Sequence, residues 1–124
     1  MTTFNTISVI GLGYIGLPTA TAFANCGKKV LGVDIDQAIV NTINQGEIHI
    51  IEPDLASAVK RAVQNGGLSA STQVQPADAF LIAVPTPFKE GHKPDLGYVE
   101  AAAKSIASVL DKGNLVVLES TSPV

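Results

Sequence analysis

The sequence predicts an α/β domain, a doubly wound parallel sheet with helices on both faces, and three observations carry that prediction. Short apolar runs alternate with stretches of helical periodicity from one end of the chain to the other. A glycine-rich turn, Gly11-Leu12-Gly13-Tyr14-Ile15-Gly16, lies between the first apolar run and the first helical stretch. A carboxylate, Asp34, ends the second apolar run, close to the roughly 20 residues at which such folds place an acid.

The elements follow in order. Ile7 to Ile10 form the first strand, and the glycine turn opens a helix with Pro18 in its first turn, where the missing N–H costs nothing. On that helix Ile15, Thr19, Ala22, Phe23 and Cys26 are expected on the core face, Cys26 as a small buried residue, and Gly27 is the stop. Val30 to Val33 form the second strand. Asp36 caps a helix carrying Ile39, Val40 and Ile43, closed by Gly46. His49 stands alone in an apolar segment with no acid or nucleophile motif, and is read as structural. Pro53 opens a third helix carrying Leu55, Val59, Ala62 and Val63, ended by Gly66-Gly67. Leu68 to Ser71 read as an edge strand and Ala79 to Val84 as a buried one, with Asp78 at its entrance. Asp95 is expected to cap a helix whose core face is Leu96, Val99, Ala103, Ile106 and Leu110, and Leu115 to Leu118 form the last strand. The pattern is β-α-β-α-α-β-β-α-β, with an expected strand order of 3-2-1-4-5.

Composition narrows the function classes. The 124 residues are 46% hydrophobic and 15% charged, against about 25% charged in an average domain, which fits a sheet covered on both faces. A net charge of −3 and the lack of a Lys/Arg stripe argue against a nucleic-acid partner. No apolar run approaches the roughly 20 residues that span a bilayer, and Met1 to Phe4 carry no basic signal-peptide region. The single cysteine excludes an internal disulfide and fits a reducing cytoplasm. No metal-spaced cluster, Ser-His-Asp set or P-loop is present.

The motif chemistry points to a dinucleotide. Gly11 allows a tight turn, Gly13 lets backbone approach a pyrophosphate, and Gly16 removes a side chain where helix and strand pack. Free N–H groups at the helix start attract phosphate. Asp34 accepts hydrogen bonds from ribose hydroxyls and repels a 2′-phosphate. No arginine follows it, so NAD is favoured over NADP. The rule that ligands sit outside the carboxyl ends of strands places a nicotinamide ribose at the turn Pro85 to Phe88, where Thr86 offers a hydroxyl. Val84, Pro85 and Thr86 are therefore cofactor-binding candidates.

With these residues assembled, the chain resembles the amino-terminal domain of the UDP-glucose/GDP-mannose dehydrogenase family from Ile7 to Val124. Three blocks carry the likeness: Gly11 to Pro18, Ala83-Val84-Pro85-Thr86-Pro87, and Glu119-Ser120-Thr121-Ser122-Pro123-Val124. The segment Gly46 to Leu55 narrows it to one bacterial branch. The resemblance implies oxidation of a UDP-sugar's C6 alcohol to a carboxylate in two hydride transfers to two NAD, with a cysteine holding the intermediate. It implies that the amides of Tyr14 and Ile15 meet the pyrophosphate, Asp34 the adenosine ribose and Thr121 the nicotinamide side. It also implies a homodimer for the full-length protein.

Two positions depart from the family pattern. Val84 stands where many members have threonine, and Ile39 roughly where some have a basic residue. The family's catalytic cysteine, lysine, asparagine and acid have no counterparts here, and Cys26 does not match the nucleophile. Residues 1–124 are therefore expected to be an NAD-binding domain that is part of a longer enzyme and inactive alone. Another dehydrogenase type sharing the first glycine block, and a non-catalytic NAD-sensing module, remain the alternative readings.

Overall fold

A computed structural model describes residues 5–84 and 97–118, the side chain of Tyr98 excepted. Five strands, β1 (Thr6–Ile10), β2 (Lys29–Val33), β3 (Leu68–Ser71), β4 (Ala79–Ile82) and β5 (Leu115–Leu118), form one sheet. Its order is β3-β2-β1-β4-β5, and every neighbouring pair is parallel. Four helices cross over it: α1 (Gly16–Asn25), α2 (Gln37–Asn44), α3 (Leu55–Gln64) and α4 (Gly97–Ala107). The element order and strand order are those the sequence predicts.

Strand alternation divides the core in two. Ile7 and Val9 of β1 and Val30 of β2 pack on α1, α2 and α3, while Ile10, Val33, Phe80 and Ile82 pack on Ala102 and Ile106 of α4. The helices therefore lie on both faces. Between them, Ser8 is fully buried on β1 and its hydroxyl has no partner among the described residues.

The structure corrects two helix faces. On α1 the buried residues are Gly16, Leu17, Ala20, Thr21 and Ala24, whereas Ala22, Phe23 and Cys26 are exposed. Alanine-rich helices offer two plausible stripes, and the sheet selects Gly16, Ala20 and Ala24 because small residues allow close approach. Cys26, expected in the core, is an exposed free thiol at the helix end. On α4 the inward residues are Ala102 and Ile106, with Ala103 exposed. Leu110 lies beyond the end of α4, so the helical spacing no longer governs it, and it is 49% exposed. The Asp95 cap and Leu96 fall outside the described residues. Helices α2 and α3 match expectation, with Val40, Ile43, Leu55, Val59 and Ala62 buried and Asp36 capping α2 through the N–H of Ala38 at 2.9 Å.

The two sheet margins differ. At β3 the side chain of Asn44 acts as a substitute peptide, donating to the Ala70 carbonyl at 3.0 Å and accepting from the Ala70 N–H at 2.8 Å. At β5 all four residues are exposed.

Asp78 ties the start of β4 to β1. Its carboxylate accepts the N–H groups of Asn5 at 2.9 Å and Thr6 at 3.1 Å. Those two backbone donors, Asn5 first, hold its pKa below the ordinary 3.8. A carboxyl whose folded pKa is lowered adds stability above its unfolded pKa and loses it as pH falls through the folded value. Denaturant titrations of wild type and Asp78→Asn should therefore differ by a constant amount near neutrality and converge as pH falls below 3.8. A gap independent of pH would show that the clamp does not depend on charge.

Candidate functional site

The carboxyl ends of β1 and β4 lie side by side where the chain crosses from β3 to the opposite side of β1. This is the topological switch point, where an open parallel sheet leaves a crevice. A groove of about 880 Å³ occupies it, within the size range of small-molecule sites.

The glycine turn forms one wall, and each glycine answers to a different constraint. Gly11 has φ +99°, and a Cβ there would meet the Ala83 carbonyl oxygen at 2.5 Å. Its N–H donates to the Val33 carbonyl at 2.7 Å, binding the turn to β2. A Cβ on Gly16 would run into the Gly11 carbonyl oxygen and approach the Ala83 Cβ at 3.3 Å. Gly16 therefore serves the closure of the turn itself as well as helix–strand packing. A Cβ on Gly13 would meet nothing within 4 Å, so that position faces open space.

Helix α1 presents its amino end to the same space. No side chain caps it, and among the described residues the N–H groups of Gly13, Tyr14 and Ile15 have no acceptor. Those are the donors a phosphate would satisfy. Tyr14 is 65% exposed at the groove's mouth.

Asp34 forms the second wall and is held from both sides. Its Oδ2 accepts the Leu12 N–H at 3.0 Å and its Oδ1 the Asp36 N–H at 3.0 Å. A carboxylate has about four acceptor sites, so two remain for hydroxyl donors. The bond to Leu12 also fixes the glycine turn relative to β2, a structural role beyond the one its sequence position suggests.

Several contributors were not visible as motifs. Gly32 leaves room for the buried Leu12, since a Cβ there would meet the Leu12 Cδ2 at 2.7 Å. A glycine inside an otherwise apolar strand was the available signal. Ile35, Ile39, Thr72, Gln73 and Val74 also line the groove, as does Ser105 of α4. Ile39, on α2, is the position where the family resemblance puts a basic residue in some members; the others sit on the β2–α2 and β3–β4 connections and on α4, where no fixed spacing marks them.

The structure brings together Gly11, Gly13, Tyr14, Ile15, Asp34 and Val84 along the groove, with Gly16 behind the turn. Pro85, Thr86 and Thr121 lie outside the described residues. No lysine, arginine or histidine lines the groove among the described residues. Among the described residues, the groups placed to balance phosphate charge there are backbone donors and the α1 dipole.

Comparison with known proteins assigns this geometry. Residues 5–124 match the model of the UDP-glucose/GDP-mannose dehydrogenase family, NAD binding domain. The chain belongs to that family. A curated relative, the UDP-N-acetyl-D-mannosamine dehydrogenase of Escherichia coli K12, is 71% identical over 121 residues, which is 98% of this chain and 29% of that protein. The NDP-N-acetyl-D-galactosaminuronic acid dehydrogenase of Ralstonia nicotianae is 65% identical over the same shares. Among solved structures, the UDP-N-acetyl-mannosamine dehydrogenase of Staphylococcus aureus superposes with a TM-score of 0.91 at 42% identity, over 94% of this chain and 29% of that one. The chain thus spans under a third of the length of each of these three relatives.

The chain is an NAD binding domain of this dehydrogenase family. Gly13 leaves the approach to the turn open, unpaired amides face it, and Asp34 keeps spare acceptor capacity. Among the described residues no helix is long and apolar enough to cross a membrane, and no cluster of metal-ligating side chains occurs.

Proposed function

We propose that this chain is the amino-terminal cofactor domain of a UDP-N-acetyl-D-mannosamine dehydrogenase, acting in the cytoplasm on a UDP-sugar. The observation that carries the reading is the 71% identity to the Escherichia coli enzyme over 98% of the chain. The groove supports it, with an uncapped helix end for a pyrophosphate and an anchored acid for a ribose.

Each group has a stated task in this reading. The N–H groups of Gly13, Tyr14 and Ile15 bind the phosphates, and Gly13 keeps their approach open. Asp34 orients the adenosine ribose, while Val84, Pro85, Thr86 and Thr121 flank the nicotinamide end. Bound NAD would supply the hydride acceptor for oxidation of the sugar's C6 alcohol to a carboxylate. Residues 1–124 hold the cofactor half of that site, and the substrate-binding and catalytic groups belong to further polypeptide of a homodimeric enzyme.

The test uses a protein that joins this domain to the remaining length found in its relatives. It should reduce two NAD per UDP-N-acetyl-D-mannosamine consumed, whereas the 124-residue chain should bind NAD without turnover. Substrate-dependent NADH formation by the chain alone, or preference of the longer protein for another UDP-sugar, would overturn this assignment.

A further inference from the structure

The glycine turn offers the groove backbone rather than side chains, with one exception. Of its six residues three are glycines, Leu12 is fully buried and Ile15 is half-buried. Tyr14 alone presents an exposed side chain: it lines the groove, yet it is 65% exposed. It stands between Gly13 and Ile15, whose N–H groups, like its own, have no acceptor among the described residues. On the Gly13 side the space is open, since an added Cβ would meet nothing within 4 Å.

The charge of this wall makes that position consequential. No lysine, arginine or histidine lines the groove among the described residues, so the donors offered to an anion at the turn are neutral amides. A neutral N–H gains little from an acceptor while water competes for the same bond, and gains more where water is displaced. An aromatic ring suits that task, being a large flat apolar body whose polar tip can stay in solvent.

We propose that the Tyr14 ring covers the bound pyrophosphate, closing the water side of the phosphate turn while the backbone amides hold the anion. The inference rests on the groove being the NAD site, and it gives the Tyr14 side chain a role separate from that of the Tyr14 amide. Main chain supplies the bonds, and the ring keeps water from competing for them. One aromatic contact of this kind amounts to about tenfold in affinity.

The chain has two tyrosines and no tryptophan, so Tyr98→Phe leaves Tyr14 as the sole source of intrinsic fluorescence. In that background, acrylamide quenching should fall about threefold on saturation with NAD, as a ring that is 65% exposed becomes largely covered. ADP-ribose, which keeps the pyrophosphate and lacks the nicotinamide, should protect the ring equally. By calorimetric titration Tyr14→Ala should bind NAD about tenfold more weakly, and Tyr14→Phe within about twofold of wild type, because the ring does the covering. The ligand-free melting temperature should be unchanged in both variants. Quenching unaltered by NAD overturns the inference, as does wild-type NAD affinity in Tyr14→Ala. Protection by NAD but not by ADP-ribose would put the ring on the nicotinamide, and an equal loss in Tyr14→Phe and Tyr14→Ala would make the hydroxyl the working group; either result also overturns it. Failure of wild type to bind NAD would instead overturn the site assignment on which it rests.

Discussion

Gly16→Ala is expected to prevent the glycine turn from closing, and Gly13→Ala is expected to leave the fold intact while emptying the site. The contrast follows from what each added methyl group meets. At Gly16 the obstacle is the backbone carbonyl of Gly11, part of a turn held to β2 and pressed against Ala83. Backbone so placed has no rotamer with which to move aside, so the substitution should cost about 3 kcal/mol or more, the upper range for overpacking. At Gly13 the methyl group meets no atom within 4 Å, and the residue is not among the glycines with positive φ. Alanine there should change stability by less than about 1 kcal/mol, even favourably through the unfolded chain. It would nevertheless stand in front of the free amides, and NAD affinity should fall by more than about tenfold. Thermal denaturation with NAD titration separates the two. Equal melting losses, or undiminished NAD binding by Gly13→Ala, would contradict the roles assigned.

Asp34→Ala should damage both the site and its frame. It removes the acceptor for ribose hydroxyls, and charge-assisted bonds of that kind contribute about 1.5–3 kcal/mol each, so NAD should bind at least about tenfold more weakly. It also leaves the Leu12 N–H without its partner, and Leu12 is buried. A stability loss of about 1–2 kcal/mol is expected on that account. Asp34→Asn should fall between the two, because an amide has one accepting oxygen where Leu12 and Asp36 call for two acceptors. Denaturant melts and calorimetric binding measure the two effects independently. Wild-type affinity for NAD in Asp34→Ala would end the case for this residue as the ribose acid.

Much of this site was legible in the sequence because its parts are encoded locally. The three glycines and the acid at the end of β2 are separated by fixed lengths of helix and strand, so spacing alone carries them. The strand order was legible because few topologies connect such elements without breaking handedness. The faces of α1 and α4 were not, since α1 and the middle of α4 are rich in alanine and have no strong apolar stripe. Only contact with the sheet decides between Ala20–Ala24 and Ala22–Phe23. The bond from Leu12 to Asp34 was equally hidden: a backbone N–H carries no residue label, and its partner lies 22 positions away. Gly32 is the opposite case. It was visible, but its purpose depends on where Leu12 points.

The amide of Asn44 has a consequence for how this sheet can be built upon. By occupying both outward backbone groups of Ala70, it finishes the β3 margin much as a coping finishes a wall. The β5 margin has no such closure among the described residues, and its four apolar side chains are 41–54% exposed. Lateral growth of the sheet thus has a polarity set by one side chain. Among the described residues, a new strand would find the Ala70 position of the β3 margin closed and no side chain closing the β5 margin. Charged or proline substitutions meant to keep the isolated domain dispersed belong first on Leu115 to Leu118.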